Sequence, residues 1–468
     1  MKNRKETLAI IGTGIAGLGC AHFLNSSFNL TLFEQEKYAG GHSNTIEVQE
    51  ASERVPVDTG FIVYNEVTYP NLTRLFSELE VRTQLSTMSF SVQHIPTGLE
   101  YCGSGMNSLF AQRKNLANLR FLRLLRQIHR FNREARQALD QGPLSDVTLK
   151  DYVEQRGYGD DFLNSYLIPM SSAVWSSPPR QMLEFPALTL LRFFHNHGFL
   201  GMYTQRPWRT VVGGSQAYVA RLTEPFRDRI RLRQPVQQVR REDSAVKVIL
   251  ASGAAFHFDK VIFACHADQA LRLIEAPSPD EIGLLGKFQY QPNIATLHTD
   301  EGIMPKAKRA WASWNYRMDR LSETISDIGT TETKWPPPLA EVIGIEHCPE
   351  FPSRKWNSNS EERIHASIVY WMNSLQKITA GKNYFVSIND PGRIDPGKIL
   401  RRIHYEHPLF DLAAIQAQTD LPKLNQCSTD QRAYFCGSYF KYGFHEDALT
   451  SALELCRHLL RKPLWKAA

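Results

Sequence analysis

Two kinds of hydrophobic pattern alternate along the chain. Residues 8–11 and 261–265 are unbroken apolar runs of the length expected for strands buried on both faces. Each leads directly into a helical pattern, over 18–24 and 268–274, and a further strand is predicted over 29–33. Elsewhere apolar and polar residues alternate. Half-buried strands are predicted over 45–48, 57–63, 89–92 and 99–102, and a cluster of short ones lies between 230 and 258 with Gly253 in a turn. Helical spacing returns over 69–79, where Leu72, Leu75, Phe76 and Leu79 share a face. Over 113–139, Leu124, Ile128, Phe131, Ala135 and Leu139 fall on one side and Arg123, Arg126, Arg130 and Arg133 on the other.

Residues 140–207 read as helical and aromatic, fit for an ordinary core or for the wall of an apolar pocket. A second excursion, 276–424, holds strand candidates at 293–298, 310–316, 364–371 and 384–388. Trp311, Trp314, Tyr316, Tyr370 and Trp371 are concentrated there and predict a pocket floor on one face. Loops are expected at 335–338 and 357–362, and a strand–glycine–loop–helix unit closes the chain after 433. The expected fold class is α/β: a Rossmann-like parallel sheet with helices, plus an α+β substrate domain inserted in two pieces. The first domain takes 1–65, 208–275 and 425–468, and the second takes 66–207 and 276–424.

Composition changes this picture little. A chain of 468 residues, 42% hydrophobic and 22% charged, has room for two or three cores. Seven scattered cysteines, without a C-x-x-C pair, fit free thiols better than a disulfide framework or a zinc site. His195 and His197 have no acid or cysteine at ligand spacing, so no metal is expected. The basic start is read as cytoplasmic, because the apolar segment after it is broken by glycines. The net charge of +6 matters only where it concentrates. The basic face over 113–139 suits either solvent or anionic lipid on the inner face of a membrane. No stacking aromatics are interleaved with its arginines, which argues against nucleic acid.

The most informative stretch lies between the first strand and the first helix. Gly12, Gly14 and Gly17 stand in G-x-G-x-x-G spacing, which permits a tight turn, close approach of a pyrophosphate and close packing of the helix. Glu34 follows the second strand, about 20 residues on, where an acid binds a ribose hydroxyl. Strand, glycines, helix and acid together make a dinucleotide site.

The order GTGIAG with Glu34, Gly40-Gly41, Asp58-Thr-Gly60, Val212-Val-Gly-Gly-Ser215, the strand at Val261 and Phe435-Cys-Gly-Ser438 resembles the flavin-containing amine oxidase and phytoene desaturase superfamily. The resemblance covers essentially the whole chain. Asp58-Thr-Gly-Phe-Ile-Val-Tyr-Asn65, Arg192-Phe-Phe-His-Asn-His-Gly198, Val369-Tyr-Trp-Met-Asn373 and Tyr442-Gly-Phe-His-Glu-Asp447 resemble one bacterial branch of FAD-dependent (NAD/FAD-binding) oxidoreductases, often encoded beside cyclopropane-fatty-acid-synthase-like genes.

That resemblance implies non-covalently bound FAD. Gly12, Gly14, Ile15, Ala16 and Gly17 would hold the pyrophosphate, and Glu34 the adenosine ribose. Gly40, Gly41 and His42 would lie near the flavin pyrophosphate, Gly60 and Phe61 beside the ring, and Val236 against the adenine. Gly437 and Ser438 would form the C-terminal flavin contact, with Tyr442, Phe444 and His445 close to the ring edge. The chain departs from the superfamily at His42, usually Arg, at Ser438, usually Asp, and at Ala448, commonly Gly. The serine removes a carboxylate acceptor from the flavin's ribityl or pyrophosphate region.

The implied activity is removal of hydride and a proton from an unsaturated or methyl-branched fatty acyl chain, with flavin N5 accepting the hydride. His445 and Tyr442 are the candidate catalytic residues. Alternatives are oxidation of an amine or polyamine within an aromatic cage supplied by 311–316, or a flavin-requiring isomerase or lipid-associated redox sensor. The electron acceptor is not implied.

Overall fold

The computed structural model describes residues 4–50, 53–140, 147–201, 204–320, 364–426 and 432–465. Its nucleotide sheet is five-stranded and parallel throughout, in the spatial order Ala433–Phe435, Lys260–Phe263, Thr7–Ile11, Asn29–Phe33, Ile230–Arg231. Leu8, Ala9 and Ile10 are fully buried, as the unbroken apolar run requires. Two helices, Ile15–Leu24 and His445–Leu460, pack on each other beside this sheet. Gly19 permits their approach: a Cβ there would meet Leu449 Cδ1 at 3.0 Å. A three-stranded antiparallel sheet, Val236–Arg241, Val246–Leu250 and Ala255–Phe258, accounts for the alternating cluster between 230 and 258.

A second sheet has seven strands, in the order Ile399–Leu409, Gln289–His298, Phe385–Ile388, Ile364–Trp371, Trp314–Arg320, Phe90–His94, Leu99–Cys102. Its members come from both sides of the nucleotide segment, and only Trp314–Arg320 with Phe90–His94 is a parallel pair. Register sets its faces. Tyr405, Asn293, Ile403, Ala295, Ile388, Ile368 and Tyr316 are matched across neighbouring strands and so point to one side. One buried carboxylate joins the two regions. Asp58 accepts from Thr45 Oγ1 at 2.6 Å, from Ser215 N and Oγ at 2.8 Å, and from Gln376 Nε2 at 2.9 Å. Gln376 returns its carbonyl to the Asp58 N–H at 2.9 Å. Burial pushes the Asp58 carboxyl up to about 6.

Three expectations are corrected. The strand expected over 57–63 ends at Asp58. Beyond it the backbone turns to serve His42: Phe61 N–H donates to the His42 carbonyl at 2.7 Å, and a Cβ on Gly60 would sit 2.3 Å from that same oxygen. The strand expected over 310–316 starts only at Trp314, because Lys308–Ala310 forms a 3₁₀ turn and Asn315 Oδ1 takes the Ala312 N–H at 2.9 Å. The basic stretch 113–139 is a 3₁₀ turn, Arg113–Leu116, followed by the helix Leu119–Asp140. The loops expected at 335–338 and 357–362 lie outside the described residues.

Candidate functional site

A single cavity of about 2200 Å³ runs between the two sheets. Its nucleotide end is made mostly of backbone. The first strand turns at Gly12, whose φ is +101°, and the helix Ile15–Leu24 starts just beyond Gly14. The first N–H groups of that helix have no intrahelical acceptor, and its first turn carries no acid. Gly17 is not at the surface of the cavity. A Cβ there would lie 2.0 Å from the Gly12 carbonyl, so its role is close packing of helix on turn. Gly14 lines the cavity, and a Cβ added to it would meet nothing within 4 Å, whereas a Cβ on Gly41 would meet Gly14 Cα at 3.1 Å. Glu34 closes this end: Oε2 takes the Thr13 N–H at 3.0 Å and the Thr13 hydroxyl, and Oε1 takes the Glu36 N–H at 2.9 Å.

The remaining residues singled out from sequence, Gly12, Ile15, Ala16, Gly40, His42, Gly60, Phe61, Val236, Gly437, Ser438, Tyr442, Phe444 and His445, all line the same cavity, as does Ala448. They come from five separate segments. His42 stacks on Tyr405 with ring centroids 4.8 Å apart and tilts against His407 at 5.2 Å. Its Nε2 is buried and finds no hydrogen-bond partner among the described residues. Burial holds this imidazole well below the usual histidine range, and the neighbouring imidazoles of His407, His266 and His445 lower it further.

His445 opens the final helix and lies face to face with Phe61, centroids 3.9 Å apart and planes 10° from parallel. Its Nε2 is 2.6 Å from Tyr218 Oη and 3.3 Å from Ser43 Oγ. Burial pushes it down to about 3, so it stands as a neutral, hydrogen-bonded ring at physiological pH. Tyr442 is shifted upward by burial, and its carbonyl accepts from Trp175 Nε1 at 3.2 Å. Both residues line the cavity, and burial disfavours the charged form of each.

Sequence reading missed Tyr405, His407, His266 and Tyr218. Tyr405 Oη lies 3.0 Å from Asn44 Nδ2 and 2.8 Å from Thr59 Oγ1, so the far edge of the seven-stranded sheet is tied to the His42 loop. His266 pairs with Glu406 at 3.1 Å and stacks on Tyr290 at 4.2 Å. Alternation in the strand Ile399–Leu409 was the available signal, but pairing across more than 300 residues of sequence cannot be read locally. His197 is a core residue: Nδ1 is 2.9 Å from the Phe193 carbonyl, Nε2 is 3.1 Å from Thr68 Oγ1, and burial lowers it to about 4.

Away from the glycines the wall is apolar and aromatic. Trp314, Tyr316, Tyr370, Ile368, Ile388 and Ile403 form the floor, and Met170, Val174, Trp175 and Phe193 come from the helices facing it, with Phe199 from the turn after the second. The aromatic cluster expected as one floor is divided. Trp311 and Trp371 pack edge-on at 5.4 Å, and Trp311 lies 6.2 Å from Phe385, in a separate apolar cluster outside the cavity.

Open space over Gly14, a glycine cradle that a Cβ would obstruct, and an unpartnered buried His42 Nε2 beside it all suit a dinucleotide phosphate. Residues 15–331 match the family described as flavin containing amine oxidoreductase. No curated protein sequence matches the chain. Among solved structures, a putrescine oxidase variant superposes with a TM-score of 0.62 at 13% identity, covering 97% of this chain and 99% of that one. Cyclohexylamine oxidase from Brevibacterium oxydans gives 0.61 at 13%, covering 98% and 100%. A fatty acid isomerase from P. acnes, described as producing CLA, gives 0.61 at 13%, covering 97% and 98%. At such identity these structures share the fold. The family match spans more than half of the chain, and with the nucleotide cradle it establishes that this protein belongs to the flavin-containing amine oxidoreductase family and is an FAD-dependent oxidoreductase.

Proposed function

We propose that this oxidoreductase acts on the acyl chain of a lipid. The observation that carries the reading is the composition of the cavity beyond the nucleotide end. Its floor and facing helices present Ile, Val, Met, Phe, Tyr and Trp side chains. The four lining carboxylates among the described residues are engaged: Glu34 and Glu36 belong to the nucleotide end, Glu406 is paired with His266, and Asp390 accepts the N–H groups of Gly392, Arg393 and Ile394. A hydrocarbon chain gains from burial along such a wall at roughly 0.8 kcal/mol per CH₂, whereas among the described residues the only lining carboxylate away from the nucleotide end and without a histidine partner is Asp390, already accepting three N–H groups.

FAD, when bound, supplies a hydride acceptor. Gly12 and Gly14 would hold its phosphates and Glu34 its ribose, while Phe61 and His445 stack against each other in the cavity wall. Bulky side chains on floor and ceiling exclude water and align an extended substrate. His445 keeps Tyr218 and Ser43 in place through Nε2 rather than accepting a substrate proton.

Oxidation of an amine is the second reading. Trp314 and Tyr370 meet edge-to-face at 5.3 Å and line the cavity, as two sides of a cation cage would. The test is anaerobic mixing of the FAD-loaded protein with an unsaturated phospholipid, and separately with putrescine. Bleaching of the flavin by lipid alone supports the acyl-chain reading. Bleaching by the amine alone overturns it.

A further inference from the structure

We propose that residues 106–136, at the start of the helical region, dock the protein on an anionic lipid bilayer. This deepens the acyl-chain reading and rests on it for its purpose. Eleven large hydrophobic side chains are exposed among the described residues, and four lie within one short stretch: Met106 (63% exposed), Leu116 (57%), Leu119 (69%) and Leu122 (38%). That stretch is a built unit. Arg113 bonds to the Phe110 carbonyl at 3.0 Å and to the Asn107 side chain, folding the turn Met106–Leu109 onto Arg113–Leu116. The Asn118 carbonyl then takes the Leu122 N–H at 2.9 Å as the long helix begins.

The inner face of this helix is fully committed, with Phe121, Leu124, Phe131, Ala135 and Ala138 buried. At 100° per residue, Leu119 and Leu122 share the outer face with Arg123, Arg126 and Arg133. Carboxylates neutralise some cations on this helix but not those. Arg120, off to one side, pairs with Asp161, and Arg130, within the outer row, pairs with Glu134 at 2.8 Å. Arg123, Arg126 and Arg133 are exposed and have no carboxylate partner among the described residues. An apolar tip followed by a row of unneutralised arginines is the pattern of an in-plane element: leucines enter the acyl boundary and guanidinium groups meet phosphate. A second protein would be served by leucines without a cationic row, and the row gives it charge to repel a copy of itself.

Co-sedimentation of the FAD-loaded protein with vesicles tests this. We expect binding to vesicles containing about one third phosphatidylglycerol to be about tenfold stronger than to phosphatidylcholine vesicles, and to weaken in about 0.5 M salt. Leu119→Ser with Leu122→Ser should weaken binding about tenfold. Arg123→Glu with Arg126→Glu should abolish the preference for anionic lipid, and both variants change exposed positions that the fold does not use. Failure of the parent protein to bind anionic vesicles overturns the proposal. So does unchanged binding by either variant, or loss of a dimer in sedimentation as the only effect of the leucine changes. Vesicle binding that persists while no lipid bleaches the flavin leaves the surface intact and removes the acyl-chain reading. Bleaching by a detergent-solubilised lipid without vesicle binding does the reverse.

Discussion

The nucleotide end and the floor of the cavity are built by opposite means. At the nucleotide end, specificity comes from backbone and from missing side chains: Gly12, Gly14 and Gly17 lie within six residues of one another, and each has a geometric duty that a Cβ would violate or occupy. On the floor, specificity comes from side chains set by register. Tyr316, Ile368, Ile388 and, across Ala295, Ile403 share one face only because five strands drawn from residues 289–409 pair with one particular alignment. A site of the first kind fails sharply when one atom is added. A site of the second kind degrades by degrees and can change its ligand without losing its fold.

The largest expected effect separates the two duties of the glycines. Gly17→Val should abolish soluble, flavin-loaded protein, because its Cβ would lie 2.0 Å from the Gly12 carbonyl. Gly14→Ala adds a Cβ only to open space, so it should fold but lose FAD affinity by about 100-fold, the scale of about 3 kcal/mol lost on the phosphate contacts. Flavin absorbance per protein and circular dichroism together check both. Equal failure of the two variants would break the contrast.

Next comes the tie between the regions. Gln376→Ala should cost about 1–3 kcal/mol of stability by leaving Asp58 short of a buried partner. A thermal melt by flavin fluorescence and by circular dichroism should show both signals shifting together. Flavin release well ahead of unfolding would show that the two regions are less coupled than this shared carboxylate indicates.

On the floor, Trp314→Ala should lower kcat/KM for the productive substrate about tenfold while leaving FAD bound, since that side chain touches the cavity and not the cradle. Loss of flavin in this variant would contradict the division of labour.

The smallest effect is one of pH. Burial holds His445 at about 3 and His407, His197 and His298 at about 4, with His42 also depressed. Unfolding frees each to bind a proton near its usual pKa of about 6.5, so these groups make stability fall as pH drops from about 6.5 toward 4. Asp58, held up at about 6, and Asp447, at about 7, act in the opposite sense, favouring the fold less as pH rises from about 4 to 7. Burial lowers His22 as well and raises Glu446, and six histidines against three acids predict a melting temperature that rises from pH 4 to 6.5. His407→Asn should flatten that slope.

The two regions also differed in how readily they could be read. The glycines, Glu34 and the strand–turn–helix around them were legible because every partner lies within one βαβ segment and the spacing is dictated by phosphate geometry. The strands of the second sheet were largely legible as strands, from alternation alone. Their order was not, nor was the division of its tryptophans. Trp311 and Trp314 are three residues apart, yet a 3₁₀ turn and the Asn315 side chain place them on different sides.

Sequence by itself therefore determined the dinucleotide cradle, the α/β class and the family, because glycine spacing and a ribose acid act locally, through backbone that no distant residue needs to complete. Only the tertiary structure decided which side chains line the cavity, that His445 is a half-buried neutral ring stacked on Phe61, and that Tyr405 and His407 close the His42 loop. Those facts depend on strand register and burial, energies that belong to pairs of residues hundreds of positions apart and leave no periodic trace in either segment alone.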